Sequence, residues 1–236
     1  MAEEITFKFL TLNVCHGGIL MDQMLEFLTH EQADIMVFQE VNKSENSTAP
    51  INFHTNENLQ KHFPSHNLVF DSGLKLNYLK DNILTEQGNT TLSRFPIIRH
   101  KLVYFNSHYS EFDSPLPGEK PDYRSYPKYM QKSWLNLGGR ELLVINLHGA
   151  WDYHGNDTPE RLSMTKTILA HAKESEYVII AGDSNARYQT NTIQMLMSHY
   201  PSVLPFTPIS TFNMRRKTDP GYAEAAVDIL LTSPNL

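Results

Sequence analysis

Six polar residues that could bind a metal ion or move a proton lie at or near the ends of apolar, strand-like segments. They are Asn13, Glu40, His148, Asp183, Asn185 and Asp228. The apolar runs beside them, such as residues 35–38 and 177–181, have the length of buried β-strands. Because functional sites in sheet proteins collect at the carboxyl ends of strands, we expect these side chains to meet at one edge.

Taken singly, each residue also has a purely structural explanation. Asp183 and Asn185 follow a glycine and are common turn residues. Glu40 could be the first solvated residue after a strand, and His148 could be a core histidine bonded to backbone. Asp228 is harder to explain in this way, because a carboxylate between apolar neighbours on a buried strand needs a partner.

Together the six residues fit the metal-assisted hydrolysis of a phosphate ester. Magnesium binds carboxylate and amide oxygens and keeps part of its water shell, which Glu40 and Asn13 can support. Hydrolysis also needs a group that orients or deprotonates water, and donors that stabilise charge on the phosphoryl oxygens. Asp183, Asn185 and His148 carry the functional groups for these tasks. Mg²⁺ is therefore the expected cofactor, with Mn²⁺ as the alternative.

The segments that must position these residues mix strands and helices. Apolar patterns predict strands over residues 5–14, 33–38, 68–70, 76–84, 89–93, 101–105, 133–137, 141–147, 177–181 and 225–232. Helical spacing predicts helices over 20–30, 158–173 and 192–200, and more weakly over 56–63. The first strand is apolar on both alternating sets of residues, which predicts a central strand covered on both faces. The order indicates an α/β or α+β class, and residues 1–236 are expected to form a single domain.

The composition excludes several classes of protein. The chain has 236 residues, of which 40% are apolar and 19% charged, so disorder as the main state is excluded. A formal charge of −6 argues against a nonspecific nucleic-acid binder. No apolar run approaches the roughly 18 residues of a membrane helix, and the acidic N-terminus does not resemble a signal peptide. We therefore expect a cytoplasmic protein, and we also expect a monomer. The single cysteine, Cys15, follows Asn13 closely and could lie near the site, although a small buried apolar residue is the simpler expectation.

The sequence resembles the endonuclease/exonuclease/phosphatase superfamily in six segments, which occur in the family's order. They are residues 10–13, 34–40, 92–97, 145–148, 180–185 and 227–233. The resemblance implies a four-layer sandwich, in which two central mixed β-sheets are flanked by helices and the site lies at one rim. It also implies a divalent-metal-dependent hydrolase acting on a phosphate ester as a phosphodiesterase, nuclease or phosphatase. The substrate class stays open between nucleic acid, a small phosphorylated molecule and a lipid headgroup.

The resemblance also implies a role for most of the site residues. Glu40 corresponds to the principal metal ligand, with Asn13 beside it. His148 corresponds to a histidine that contacts the scissile phosphate. Asp183 is similar to the residue that orients or deprotonates the attacking water, and Asn185 to a neighbour that binds a phosphoryl oxygen.

The sequence departs from the family at its C-terminal end. Asp228 matches a carboxylate that in the family holds a second histidine, which belongs to an Asp-His pair. The sequence contains no such pair, and Ser184 replaces the family's phenylalanine. Two explanations follow, a chain cut before its last strand, which the retained Asp228 favours, or a degenerate member. The alternative function is accordingly a non-catalytic binding or scaffold protein that kept the fold.

A few further residues are secondary candidates. Trp151 and Tyr153 follow His148 and could stack on a base or cover an apolar group. His16 and His154 could bind phosphate or replace the missing histidine, although surface positions are the simpler expectation. The basic cluster at residues 215–217 could hold phosphates or be a solvated turn.

Overall fold

A computed structural model of the chain describes residues 4–105, 107–116, 119, 122–216 and 224–236. Within these ranges the helices are α1 (Met21–Glu31), α2 (Thr55–His62), α3 (Pro159–Ala172) and α4 (Asn191–Met197). The strands are β1 (Phe9–Asn13), β2 (Ile35–Lys43), β3 (Asn67–Tyr78), β4 (Ile83–Ser93), β5 (Ile97–Tyr104), β6 (Glu111–Asp113), β7 (Tyr129–Leu137), β8 (Arg140–His148), β9 (Tyr177–Asp183) and β10 (Asp228–Thr232). None of the helices in the described ranges is long and apolar enough to cross a membrane.

The strands form two mixed sheets of five strands each, packed face to face. Sheet one has the order β1-β2-β4-β3-β6, and sheet two has the order β10-β9-β8-β7-β5. Helices α1 and α2 cover the outer face of sheet one, and α3 and α4 cover the outer face of sheet two. The predicted α/β class and the four-layer sandwich are therefore confirmed.

The facing surfaces of the two sheets change from apolar to polar along the strands. On β8 the inward side chains are Leu142, Val144, Asn146 and then His148, because successive residues of a strand point to opposite faces. On β2 the same alternation places the buried Gln39 inward, after two apolar residues. The apolar half of the interface packs the two sheets together, and the polar half lies at the rim where β2 and β8 end.

Buried amide side chains join the two sheets in this polar half. The Asn146 amide donates to the backbone carbonyls of Phe38, at 3.1 Å, and Thr90, at 3.0 Å. The Gln39 amide donates to Asn146 Oδ1 at 2.7 Å. Gln39 and Asn146 are fully buried, so the polar groups that form these bonds would be costly to leave unpaired; Gln39 Oε1 itself has no hydrogen-bond partner among the described residues. We call this pair the inter-sheet amide pair, and it fixes how far the sheets can slide past each other.

A β-bulge directs Glu40 toward the rim. The pairing of β2 with β4 shifts register between Phe38 and Val41. Glu40, inside the shift, has a φ of 60°, which is the left-handed region that non-glycine residues rarely adopt. Bulges turn a side chain out of the regular alternation. Glu40 therefore leaves the pattern of β2 and lines the cavity at the rim.

Two predicted strands are wrong in position. Residues 5–14 were expected to form a central strand, whereas β1 covers five residues and lies at the edge of sheet one within the described chain. Its side chains are only half-buried on both faces, because β2 is the one described strand that pairs with it. Residues 76–84 were expected to form one strand, but they contain the turn between β3 and β4.

Other local predictions are confirmed. Gly138 and Gly139 connect β7 to β8 with φ values of 60° and 94°, as a two-residue hairpin turn requires. Thr158 is the N-cap of α3, where its side chain accepts a hydrogen bond from the Arg161 backbone, and Pro159 occupies the first turn.

The N-cap of α3 yields a stability prediction. Thr158→Ala removes an acceptor for an otherwise unpaired backbone N–H and should lower the free energy of unfolding by about 1 kcal/mol. Urea unfolding followed by circular dichroism measures this change. Thr167→Ala, in the interior of the same helix, is the matched control and should cost nothing, because alanine is the better helix former. Equal losses in the two variants would contradict the assignment of the cap.

Candidate active site

Side chains from both sheets meet at the polar rim, and Asn13 connects them. The Asn13 amide donates to Glu40 Oε1 and to Asp183 Oδ2, each at 3.0 Å. His148 Nε2 lies 3.9 Å from Glu40 Oε1. Four of the six predicted site residues are thus joined by direct contacts.

The other two predicted residues lie beside Asp183. The Asn185 backbone N–H donates to Asp183 Oδ1 at 2.8 Å, and its side-chain amide donates to the Gly149 carbonyl at 3.1 Å. Asp228 stands opposite Asp183 in the antiparallel pairing of β9 with β10. All six predicted residues line one cavity of about 990 Å³.

A close approach of two loops brings His148 and Asp183 to the same place. A Cβ atom on Gly149 would lie 2.2 Å from the Ser184 carbonyl oxygen, so only glycine fits at this position. The Gly149 backbone N–H donates to the Asp183 carbonyl at 2.7 Å. The loop after β8 is therefore held directly against the loop after β9.

The fully buried Arg161 of α3 holds the same two loops together through hydrogen bonds to the backbone of each. Its Nε donates to the Ala150 carbonyl at 2.9 Å, and one terminal nitrogen donates to the Asn185 carbonyl at 2.5 Å. Nothing in the sequence distinguishes Arg161 from a surface residue of a helix, so its contribution was not predicted.

Lys128 is a site residue that the sequence did not reveal. It is 5% exposed, precedes β7 directly and lines the cavity with Glu40, His148 and Asp183. Burial lowers its pKa, whereas the charges of Glu40 and Asp183 act in the opposite direction. A lysine placed directly before an apolar strand was the available signal, but its position depends on how β7 pairs with β8.

The pKa values of Glu40 and His148 both lie well below those of exposed groups. Burial acts to raise the pKa of Glu40, but the charge of His16, the charge of His148 when its imidazole is protonated, and hydrogen bonds from His16 and Asn13 lower it to about 2. Burial and the charge of Lys128 lower the pKa of His148 to about 3, against the effect of Glu40. At neutral pH the site therefore holds an ionised Glu40 and a neutral imidazole.

The two aspartates have the opposite tendency. Burial raises the pKa of Asp183, and hydrogen bonds from Asn185 and Asn13 only partly offset it. Burial, followed by the charge of Asp183, raises the pKa of Asp228 to about 7, while a hydrogen bond with Thr211 lowers it. Carboxyl groups with raised pKa values are suited to proton transfer near neutral pH.

The carboxylate oxygens of Glu40 are suitable ligands for an ion of the magnesium type. Glu40 is ionised, its side chain is 21% exposed, and each of its oxygens accepts one hydrogen bond, from Asn13 or from the His16 backbone. Among the described residues no three His, Cys, Asp or Glu side chains form a ready-made cage. An ion that takes one or two carboxylates and keeps several waters suits such a site, whereas a closed tetrahedral zinc site does not.

Only some of the secondary candidate residues line the cavity. His16 lines the cavity, but His154 is exposed and is not part of the lining. Arg216 lines the cavity, Arg215 does not, and Lys217 lies outside the described residues. Cys15 is exposed at the cavity wall, so the expectation of a buried cysteine is wrong, because the turn after the edge strand β1 leaves it uncovered.

The fold and the rim site define a family. A model of the Endonuclease/Exonuclease/phosphatase family matches residues 10–231, and the chain belongs to this family. The family is part of a superfamily of phosphoester hydrolases. A search of curated proteins found no match.

Solved structures share the fold at low sequence identity. An endonuclease/exonuclease/phosphatase from Beutenbergia cavernae aligns with a TM-score of 0.71 and 15% identity, over 97% of this chain and 64% of its own length. A mannosyl-6-phosphatase from Bacteroides thetaiotaomicron aligns with a TM-score of 0.63 and 14% identity, over 96% of this chain and 84% of its own length. Sphingomyelinase C from Streptomyces griseocarneus aligns with a TM-score of 0.63 and 19% identity, over 98% of this chain and 85% of its own length.

The electrostatic effect of Lys128 on His148 yields a titration prediction. Lys128→Met keeps the length of the side chain and removes the charge, so the pKa of His148 should rise from about 3. NMR titration of the imidazole measures it. Lys101→Met, which removes an exposed charge from β5, should leave the pKa unchanged. A His148 pKa that does not move in Lys128→Met would show that burial alone sets it.

Asp228 yields a prediction about stability against pH. Its raised pKa means that the folded state favours the protonated carboxyl. The contribution of this group to the free energy of unfolding is therefore full below about pH 4, the pKa of an aspartate in the unfolded chain, and is lost as the pH rises to about 7. In EDTA, the unfolding free energy of Asp228→Asn should therefore fall about 4 kcal/mol less between pH 4 and 8 than that of the parent chain, since each pKa unit corresponds to about 1.4 kcal/mol. Urea unfolding across this range measures the difference, and parallel curves would contradict the raised pKa.

Proposed function

We propose that the chain hydrolyses phosphate esters with the help of Mg²⁺ or Mn²⁺. The proposal rests mainly on one arrangement, in which an ionised carboxylate on sheet one faces a buried lysine and a neutral histidine on sheet two. Glu40 lies 3.9 Å from His148, and both line the cavity with Lys128. Such a pocket attracts a cation on one side and an anion on the other, as a metal-bound phosphate requires.

Glu40 and Asn13 are the residues that would hold the metal. A bound divalent ion supplies positive charge to a phosphoryl oxygen and polarises a water molecule. Glu40 is charged at neutral pH and already fixed in orientation by two hydrogen bonds. It therefore pays little reorganisation when a cation binds.

The other residues act on the phosphate and the water. Lys128 contributes a positive charge and His148 a neutral hydrogen-bonding group on the side of sheet two. Asp183 is the candidate base, because burial raises its pKa toward the range of an effective proton acceptor. Asn185 lies beside it, so its amide can bind a phosphoryl oxygen. Asp228 shares the cavity, where the charge of Asp183 helps to keep its carboxyl protonated.

The non-catalytic alternative has the same residues but no turnover. A scaffold with this site would bind a divalent ion and phosphate without hydrolysing an ester, so the two functions differ in one measurement. The extent of the domain, residues 1–236, the monomeric state and the cytoplasmic location stay predictions from the sequence.

Substitution of the proposed metal ligand tests the function. With bis(p-nitrophenyl) phosphate and Mg²⁺ or Mn²⁺, Glu40→Gln should lower kcat/KM by about 100-fold or more, because several kcal/mol of charge stabilisation are lost. EDTA should abolish the activity. Glu45→Gln, an exposed position five residues further along the chain, is the matched control and should retain it.

Binding measured alongside turnover separates the alternatives. Calorimetry should show Mn²⁺ binding to the parent chain and at least tenfold weaker binding to Glu40→Gln. Mn²⁺ binding without any turnover would favour the scaffold. Turnover that EDTA does not affect would contradict the proposed function.

A further inference from the structure

A group of mutually perpendicular aromatic rings stands at the rim of the cavity. The Tyr123 ring lies 5.3 Å from Trp151, at an interplanar angle of 84°, and 5.3 Å from Tyr126, at 75°. All three side chains are half-buried and line the cavity. We call Tyr123, Tyr126 and Trp151 the aromatic wall.

The aromatic wall stands next to the groups that would bind phosphate. Tyr129 pairs with His148 in the β7–β8 ladder, so the loops before β7 and after β8 leave the sheet side by side. Tyr126 comes two residues before Lys128, and Trp151 comes three residues after His148. A phosphate held by Lys128 and His148 would therefore carry its organic group toward these rings.

Tyr123 also lines the same cavity as the proposed metal ligand, Glu40. Burial and the negative charge of Glu40 raise the pKa of Tyr123 to about 12. The aromatic wall thus borders both the sheet-one side and the sheet-two side of the site.

The geometry of the wall favours an aromatic group over other apolar or cationic groups. Perpendicular rings offer faces and edges to a further ring, and such contacts stabilise binding beyond the effect of the buried area alone. A cation is less suitable here, because the Arg124 guanidinium already lies 5.3 Å from the centre of Tyr153, whose ring contacts Trp151 at 4.7 Å. A long polyanion is disfavoured by the carboxylates of Glu40, Asp183 and Asp228 in the same cavity.

We infer that the substrate carries an aromatic ring in an organic group bonded to the scissile phosphate, and that the aromatic wall binds this ring. The inference rests on the proposed phosphate-ester hydrolysis and specifies its substrate class.

Non-hydrolysable ligands with one substituent each test the inference without turnover. Phenylphosphonate and cyclohexylphosphonate carry the same anionic group and rings of similar size, and only the first ring is flat and aromatic. Calorimetry in the presence of Mg²⁺ should show that phenylphosphonate binds about tenfold more tightly, which corresponds to ~1.4 kcal/mol. The trimethylammonium analogue phosphonocholine should bind no more tightly than cyclohexylphosphonate.

Variants of the wall make the test specific. Trp151→Leu should reduce the preference for phenylphosphonate to less than about threefold, whereas Trp151→Phe should keep most of it. Phe206→Leu replaces an aromatic ring that is 70% exposed and does not line the cavity, and it should change nothing.

Each other outcome overturns a defined part of the account. Equal affinity for the two ring compounds, tighter binding of phosphonocholine, or a preference that survives Trp151→Leu would overturn the inference and leave the hydrolysis of bis(p-nitrophenyl) phosphate as the independent sign of the proposed function. Absence of binding by every phosphonate, together with absence of hydrolysis, would overturn both.

Discussion

The hydrogen bond from Gln39 to Asn146 is the contact on which the geometry of the site depends. It crosses the two sheets at 2.7 Å between fully buried amides, and Asn146 also donates to the Phe38 carbonyl of β2. Gln39 directly precedes Glu40, and Asn146 lies two residues before His148 on the same face of β8. A slip of one sheet past the other would leave several buried polar groups unpaired, at roughly 1–3 kcal/mol each. The positions of Glu40 and His148 are therefore set by the packing of the two sheets.

Backbone strain is concentrated at the same rim. Six described non-glycine residues have positive φ, and four of them line the cavity: Cys15, His16, Glu40 and Asn185. Such conformations cost about 1–3 kcal/mol each and persist only where the surroundings fix them. Here the His16 N–H binds Glu40, and Arg161 holds the Asn185 carbonyl, so hydrogen bonds offset the strain. The site is thus held in one arrangement before any ligand binds.

The sequence was informative wherever a local pattern determined the structure. Apolar runs ending in Glu40, His148 and Asp183 indicated the strands and the shared rim, and Gly138–Gly139 indicated the hairpin. Lys128 could not be assigned, because its burial depends on the pairing of β7 with β8 and on the loop in front of it. The expectation for β1 was wrong since an apolar pattern does not reveal how many neighbours a strand has. The bulge that turns Glu40 toward the cavity has no signature in the sequence, because glutamate is not a residue that favours positive φ.

The central claim is that sheet one supplies the metal side and sheet two the phosphate side of a single site. The most direct measurement is a crystal structure of the chain with Mn²⁺ and phosphate, in which anomalous scattering locates the metal. The account predicts one Mn²⁺ at Glu40 and Asn13, with a phosphate between that ion and Lys128. A metal bound only by Asp183 and Asp228, or a phosphate outside the cavity, would contradict it.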